Sequence, residues 1–181
     1  MGKQAVIGNS MRAVLLALAI LPAAAFATEP FLADLERRLK ADGVEGVNAH
    51  LSARPLAMAE LNQSAADCNP QAIDLAAKLG RGLNSNATKL HNESLRIATG
   101  ACAEFVLSRL SLQEVPKICS SVSSWTVTQM ARELRRRMKE IEDDERLRTS
   151  ERGRACGAAY LFELQNTRVG IRTAPPYLKS K

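Results

Sequence analysis

The chain has 181 residues, with 25 Lys and Arg against 19 Asp and Glu and a formal net charge of +6. That excess is small and interleaved with acids, which argues against a protein that tracks a nucleic-acid backbone. Only seven residues are aromatic (one Trp, two Tyr, four Phe) and long β-branched runs are missing. The core must therefore be built from Ala, Leu, Val, Ile and Met, and the expected class is all-α: one disulfide-stapled bundle of about five to six helices.

Residues 1–27 have the order of parts of a cleavable signal peptide. Lys3 and Arg12 supply the positive start, Ala13 to Leu21 (AVLLALAIL) the apolar run, and Ala25-Phe26-Ala27 an A-x-A cleavage site before Thr28. Met11 could serve as the start equally well. The apolar run is too short to cross a bilayer, which needs about 20 residues in a helix. No cysteine stands at the cleavage site to take a lipid anchor, and Val6 occupies the place where myristoylation wants Ser or Thr. Cleavage after Ala27 removes Lys3 and Arg12 and no acid, lowering the net charge from +6 to +4. The Ala-rich, Arg-over-Lys composition and compact signal point to a bacterial periplasmic protein, with neither membrane span nor anchor. In that setting the Asn62, Asn86 and Asn92 glycosylation sequons are coincidental.

The helical domain is expected over 28–165. Thr28 and Pro30 open a first helix with Phe31, Leu32, Leu35 and Leu39 at helical spacing, and Gly43 is read as its end. A linker, Val44 to His50, leads to a second helix over Arg54 to Ala66. Asn69-Pro70 caps a third, Gln71 to Leu79, closed by Gly80. Beyond a break at Gly80-Arg81-Gly82, a long helix is predicted from Asn84 to Leu110, its stripe including Leu83, Ala87, Leu90, Leu95, Ala98, Cys102, Phe105 and Val106. Gly100 weakens its middle by about 1 kcal/mol. Leu112 to Val122 is a connector. A last helix covers Arg152 to Gln165, and 166–181 is expected to be a mobile tail, with a short strand at Val169 to Ile171 as an option.

Between connector and last helix stands the sharpest local signal. Thr126 and Gln129 have capping-box spacing, and Trp125 and Met130 occupy the two positions of a hydrophobic staple. The helix they open has Val127, Met130, Ala131, Leu134, Met138 and Ile141 as its apolar stripe, with Arg132, Arg135, Arg136 and Arg137 largely off it. From Arg132 to Arg148 there are seven basic and six acidic residues. Five i,i+4 pairs are available (Glu133–Arg137, Arg136–Glu140, Lys139–Asp143, Glu142–Arg146, Asp144–Arg148), each worth a few tenths of a kcal/mol. The near-neutral face excludes a phosphate reader, and no nucleic-acid partner is expected. Its polarity is nevertheless unusual: bases dominate 132–139 and acids 140–148, against the helix dipole. Either the helix breaks near Asp143-Asp144, so that acids enter a new first turn, or the pattern serves a partner. On the second reading Arg132, Arg135, Arg136, Lys139, Asp143 and Asp144 form a docking surface for a protein partner; a homodimer is a separate option, with no surface assigned to it.

Cys68, Cys102, Cys119 and Cys156 make an even count in an exported chain, and their spacings match no zinc motif. Of the three connectivities, Cys68–Cys102 with Cys119–Cys156 is expected, since each bridge then ties neighbouring helices. Nothing in the chain resembles a P-loop, a G-x-S-x-G elbow or an H-E-x-x-H motif, so no cofactor, metal or catalytic residue is expected. The histidines, His50 and His91, read as surface residues. Glu93-Ser94 resembles the Glu-Ser pair of lytic transglycosylases, in which the Glu is a general acid, although their later Gly-Leu-Met-Gln stretch is absent. The plain reading of Glu93 is an exposed helical carboxylate, and a peptidoglycan-acting enzyme is the alternative it leaves.

From Cys102 onward the chain resembles the periplasmic immunity proteins that neutralise type VI secretion amidases. The carrying residues are Cys102-x-x-Phe105-Val106, Cys119, Thr126-x-x-Gln129 and Cys156. The resemblance covers 102–156 and implies a small, exported, helical, disulfide-bonded protein that blocks a partner enzyme's cleft without catalysis. The expected function is thus that of a non-catalytic binding protein, an inhibitor of a cell-wall-directed enzyme, with an envelope or secretion-system accessory role as the alternative.

Overall fold

The computed structural model describes residues 28–83 and 86–173; the expected signal peptide and residues 174–181 lie outside the described residues. Eight helices are present among the described residues: α1 Thr28–Ser52, α2 Pro55–Ala66, α3 Pro70–Leu79, α4 Asn86–Ser108, α5 Val115–Ile118, α6 Val127–Asp143, α7 Glu145–Thr149 and α8 Glu151–Thr173. Helix accounts for 82% of the structure and no strand occurs among the described residues. The all-α class therefore holds, with more helices than expected. None of those described is long and apolar enough to cross a membrane.

The two helices beyond six are α5, in the expected connector, and α7, beyond the break at Asp144; the bounds of α1 and α8 differ from the sequence reading as well. Gly43 ends the first helical run as expected: at φ +68° and ψ −177° its backbone is not helical, and α1 is two helices joined across a kink there. A Cβ at that position would meet nothing within 4 Å, so the torsion requires glycine and the space does not. The expected linker, Val44 to His50, is helical because Val47, Asn48 and Leu51 bury almost completely. The connector contributes the single turn α5, opened by Pro116. Helix α8 runs through the start of the expected tail, and 169–171 is helical rather than a strand.

Helix α4 joins the two halves of the fold. It packs against α1, α2 and α3 on one side and against α5 and α8 on the other, while α6 and α7 pack on α8. Leu95, Ala98 and Val106 of α4 are buried with Leu32, Leu61, Ile73 and Leu75 of the first half and with Tyr160 of the second. Leu83 and Leu90, expected in the stripe, are instead exposed. Disulfides Cys68–Cys102 and Cys119–Cys156 brace both sides, with Cα–Cα distances of 6.2 and 5.2 Å. Cys68 takes the left-handed conformation (φ 65°) that closes α2. Cys102 has non-helical torsions and kinks α4, so the weak point of that helix lies two residues beyond Gly100.

His91 is not a surface residue. Its side chain is fully buried in α4, with Nε2 3.2 Å from Asn48 Oδ1 of α1 and Nδ1 2.9 Å from the Asn62 carboxamide of α2. Asn48 donates through Nδ2 to Leu79 O at 3.1 Å, which fixes its oxygen toward the ring, so Nε2 carries a proton. The Ser94 hydroxyl donates to His91 O at 2.8 Å and lies 3.3 Å from the same Asn62 group. A neutral ring satisfies everything when Asn62 turns its NH2 toward Nδ1 and Ser94 Oγ. Burial disfavours the charged ring and pushes its pKa down to about 4 from 6.5.

This node makes the fold acid-sensitive. Between pH 6.5 and about 4 the unfolded chain binds a proton that folded His91 refuses. Stability is therefore whole above pH 6.5 and falls as the pH is lowered through that window, by up to about 3 kcal/mol. Glu114 acts in the same direction at lower pH. Burial would raise its pKa, but hydrogen bonds from Arg81 and Ser111 outweigh burial and hold it at about 2 against 4.5. Urea unfolding of His91→Gln should show a lower stability at neutral pH and a flatter profile between pH 6.5 and 4.5 than the wild type; parallel profiles would remove His91 as the cause.

Candidate functional site

Helix α6 begins as its residues dictate. Gln129 N donates to Thr126 Oγ1 at 3.3 Å and Thr126 N donates to Gln129 Oε1 at 2.9 Å, a complete capping box. Trp125 and Met130 are both partly buried against the core. Two carboxylates hold the segment leading in. Glu93 Oε1 on α4 accepts from Ser123 N and Oγ, both at 2.6 Å, and Glu163 on α8 accepts from Ser121 N and from its Oγ at 2.8 Å.

The buried side of α6 departs from the expected stripe. Leu134 and Ile141 are buried and Met130, Ala131 and Met138 partly so, but Val127 is half exposed and Arg137 is 4% exposed. Arg137 stacks on Trp125, with Cζ 4.7 Å from the ring centroid. Its Nη1 donates to Arg96 O at 2.5 Å and to Tyr160 Oη at 3.4 Å, while its Nε has no partner. Among the described residues no carboxylate reaches it. A guanidinium tolerates this better than an ammonium, because its charge is delocalised, weakly hydrated and suited to an aromatic face. Burial raises the pKa of Tyr160 and Arg137 pulls it down, so the phenol stays neutral and shares the site. Gly100 leaves the room: a Cβ there would stand 2.6 Å from Arg137 Nη2.

The triplet at 135–137 thus divides by role. Arg137 enters the core. Arg136 pairs with Glu133 at 2.8 Å and with Glu140, and reaches Gly100 O at 3.4 Å where α4 approaches its kink. Arg135 is exposed and makes no ion pair among the described residues. Of the five i,i+4 pairs open to this segment, only Arg136–Glu140 forms. Arg146 turns to Glu104 of α4 at 3.0 Å, and Lys139, Glu142 and Asp143 stay exposed and unpaired. Arg132 has only a 3.5 Å contact with Glu133.

The break at the acidic end is real. Asp144 closes α6 in an extended conformation and caps α7, accepting from Arg146 N at 2.9 Å and Leu147 N at 3.2 Å. Glu145 then lies in the first turn of α7, where the dipole favours it. This accounts for Asp144 and Glu145, and it leaves Glu142 and Asp143 at the wrong end of α6 for its own dipole. The expected docking residues therefore separate: Arg132, Arg135, Lys139 and Asp143 face solvent, whereas Arg136 and Asp144 are engaged internally.

Other candidate chemistry is built into the scaffold. Glu93 is half-buried rather than exposed. Burial favours its neutral form, but Ser123 and Arg96 (2.8 Å to Oε2) outweigh that and lower its pKa. A general acid needs the opposite shift. Half-exposed Leu90 lines an apolar cleft of about 550 Å³ together with Leu51, Pro55, Met58 and Asn62; Leu56 and Leu83 are exposed but are not among its lining residues. Neither the burial of Arg137 nor that of His91 was found from the sequence; the nearest available signal was Arg137 falling i+3 from Leu134 and i+4 before Ile141. Comparison with protein-family models, curated proteins and solved structures returned no match.

The division of the triplet is testable by stability alone. Arg137→Ala removes the stacked guanidinium and leaves Arg96 O and Tyr160 without their donor, and should destabilise by about 2–4 kcal/mol. Arg135→Ala should change stability by less than about 0.5 kcal/mol. Equal effects in thermal or urea unfolding would contradict the assignment.

Proposed function

We propose that this chain is an exported, non-catalytic binding protein of the bacterial periplasm that inhibits a cell-wall-directed enzyme by docking on it. The observation that carries the reading is the outward face of α6, where Arg132, Arg135, Lys139, Glu142 and Asp143 stand exposed, with one long Arg132 contact as their only ion pair among the described residues. Reactive groups elsewhere have structural partners: both cysteine pairs are oxidised, Glu93 holds Ser123, and His91 is enclosed by two asparagines. Export is supported by the Lys3-to-Ala27 leader pattern and by two disulfides, which persist in oxidising compartments. The inhibitory role rests on the resemblance of residues 102–156 to amidase-neutralising immunity proteins.

The test is comparative capture from periplasmic extract with the processed protein as bait. The wild type should retain a peptidoglycan hydrolase in stoichiometric amount and suppress its activity, and Arg132→Glu/Arg135→Glu/Lys139→Glu should lose both. Retention unchanged by that variant but lost in Leu90→Asp would move the docking site to the apolar cleft. Absence of any retained hydrolase, or full hydrolase activity in its presence, would overturn the inhibitory reading.

A further inference from the structure

The order of charges along α6 has one geometric property that a surface for an arbitrary partner would not need. Positions 135 and 142 are seven residues apart, two helical turns, and lie on the same flank of the exposed face. Positions 136 and 143 repeat the relation on the other flank. In both cases the first residue is basic and the second acidic. A helix with this pattern is complementary to itself run backwards. When two copies cross antiparallel about a two-fold axis between residues 138 and 139, residue 135 of each stands opposite residue 142 of the other; Arg136, engaged with Glu133, Glu140 and Gly100 O, takes no part.

We propose that the outward face of α6 is an isologous homodimer surface, in which Arg135 pairs with Glu142 of the second copy and Glu142 with its Arg135. The inference rests on the same reading of α6 as a docking surface: the second copy covers it in the free protein, and a hydrolase that docks there displaces that copy. Four observations meet in it. Arg135, Lys139, Glu142 and Asp143 are all exposed and make no ion pair among the described residues. The helix carries no acid in its first turn and no base in its last, an arrangement unfavourable to an isolated α6. The Arg135–Glu142 pair occurs twice, once on each side of the axis, as closed two-fold symmetry demands. The two Lys139 side chains nearest the axis are bracketed by Glu142 and Asp143 of both copies, which relieves their mutual repulsion. Arg132, one turn before Arg135, falls opposite the start of α7, where Glu145 is exposed.

The character of the dimer follows from its size. A strip of 17 residues is about 25 Å long, and one helix face covers much less than the roughly 800 Å² per partner of a standard interface. Its contacts are polar and lie in water, so association is weak, fast and strongly dependent on salt.

The experiment is sedimentation equilibrium of the purified, disulfide-bonded chain over a wide concentration range, at low salt and at about 0.5 M NaCl, where screening acts within roughly 4 Å. The expected result is a monomer–dimer equilibrium at low salt that shifts to monomer at high salt. Arg135→Glu and Glu142→Arg, each alone, should weaken association at least about tenfold by setting like charges opposite one another. The double variant Arg135→Glu/Glu142→Arg restores opposite charges across the axis and should recover the wild-type constant. All three should melt with the wild type, because both positions are exposed. A chain that stays monomeric at every concentration overturns the proposal, as does a dimer indifferent to the single variants or one that the double variant does not restore. A monomer that still loses its hydrolase on reversal of Arg132, Arg135 and Lys139 would leave α6 as a docking face for another protein. A dimer governed by 135 and 142 with no hydrolase bound would leave the self-pairing and remove the inhibitory function.

Discussion

One guanidinium organises the second half of this protein. Arg137 is held between the Trp125 ring, the Tyr160 hydroxyl and the backbone of α4 at Arg96 and Gly100, without a carboxylate among the described residues. Burying a cation in this way is unfavourable unless stacking and hydrogen bonding offset its desolvation. The surroundings are arranged to that end: a glycine where any side chain would collide, a tryptophan at the entry to α6, and a tyrosine kept neutral by burial. Because Arg137 is fixed inward, the rotation of α6 about its axis is fixed too. That rotation sets Leu134 and Ile141 into the core and turns Arg132, Arg135, Lys139 and Asp143 to solvent.

The rest of the scaffold supports this placement. Glu93 and Glu163, from α4 and α8, grip the serines before Trp125 from both sides, so the start of α6 is tied to the two helices on which Arg137 rests. Cys119–Cys156 binds the same segment to α8 covalently, and Cys68–Cys102 fastens α4 to the first half next to its kink. In the first half the equivalent device is polar and neutral. His91 joins α1, α2 and α4 through two asparagines, and its neutrality is what makes that joint sensitive to acid.

Features governed by local chemistry were legible in the residues. The Thr126 capping box, the Asn69-Pro70 cap, the two disulfides and the break at Asp144 all depend on neighbours within a few positions, or on a spacing that only helices could close. Features decided by tertiary burial were not. The stop at Gly43 follows from a local torsion preference, but the helix that resumes at Val44 does not, since Val47 and Leu51 find their partners elsewhere in the fold. Arg137 read as solvent-facing because charge is the default sign of exposure, and the compensating Trp125, Gly100 and Tyr160 lie on three separate segments. His91 was hidden for the same reason: Asn48 and Asn62, 43 and 29 residues away, are what make its burial tolerable. The exposed charges were assigned to the wet face correctly, yet most of their expected i,i+4 pairs do not form, since Arg137 and Arg146 turn to α4 and α8 instead.

The claim on which the account depends is that one arginine of the triplet belongs to the core, and side-chain NMR reports on it directly. With arginine Nε–Hε resonances assigned by ¹⁵N spectroscopy, Arg137 should show an Hε displaced upfield by the Trp125 ring and protected from solvent exchange, while Arg135 exchanges as a free side chain does. An Arg137 Hε that exchanges as fast as that of Arg135, at an unperturbed shift, would contradict the buried guanidinium and with it the orientation of α6.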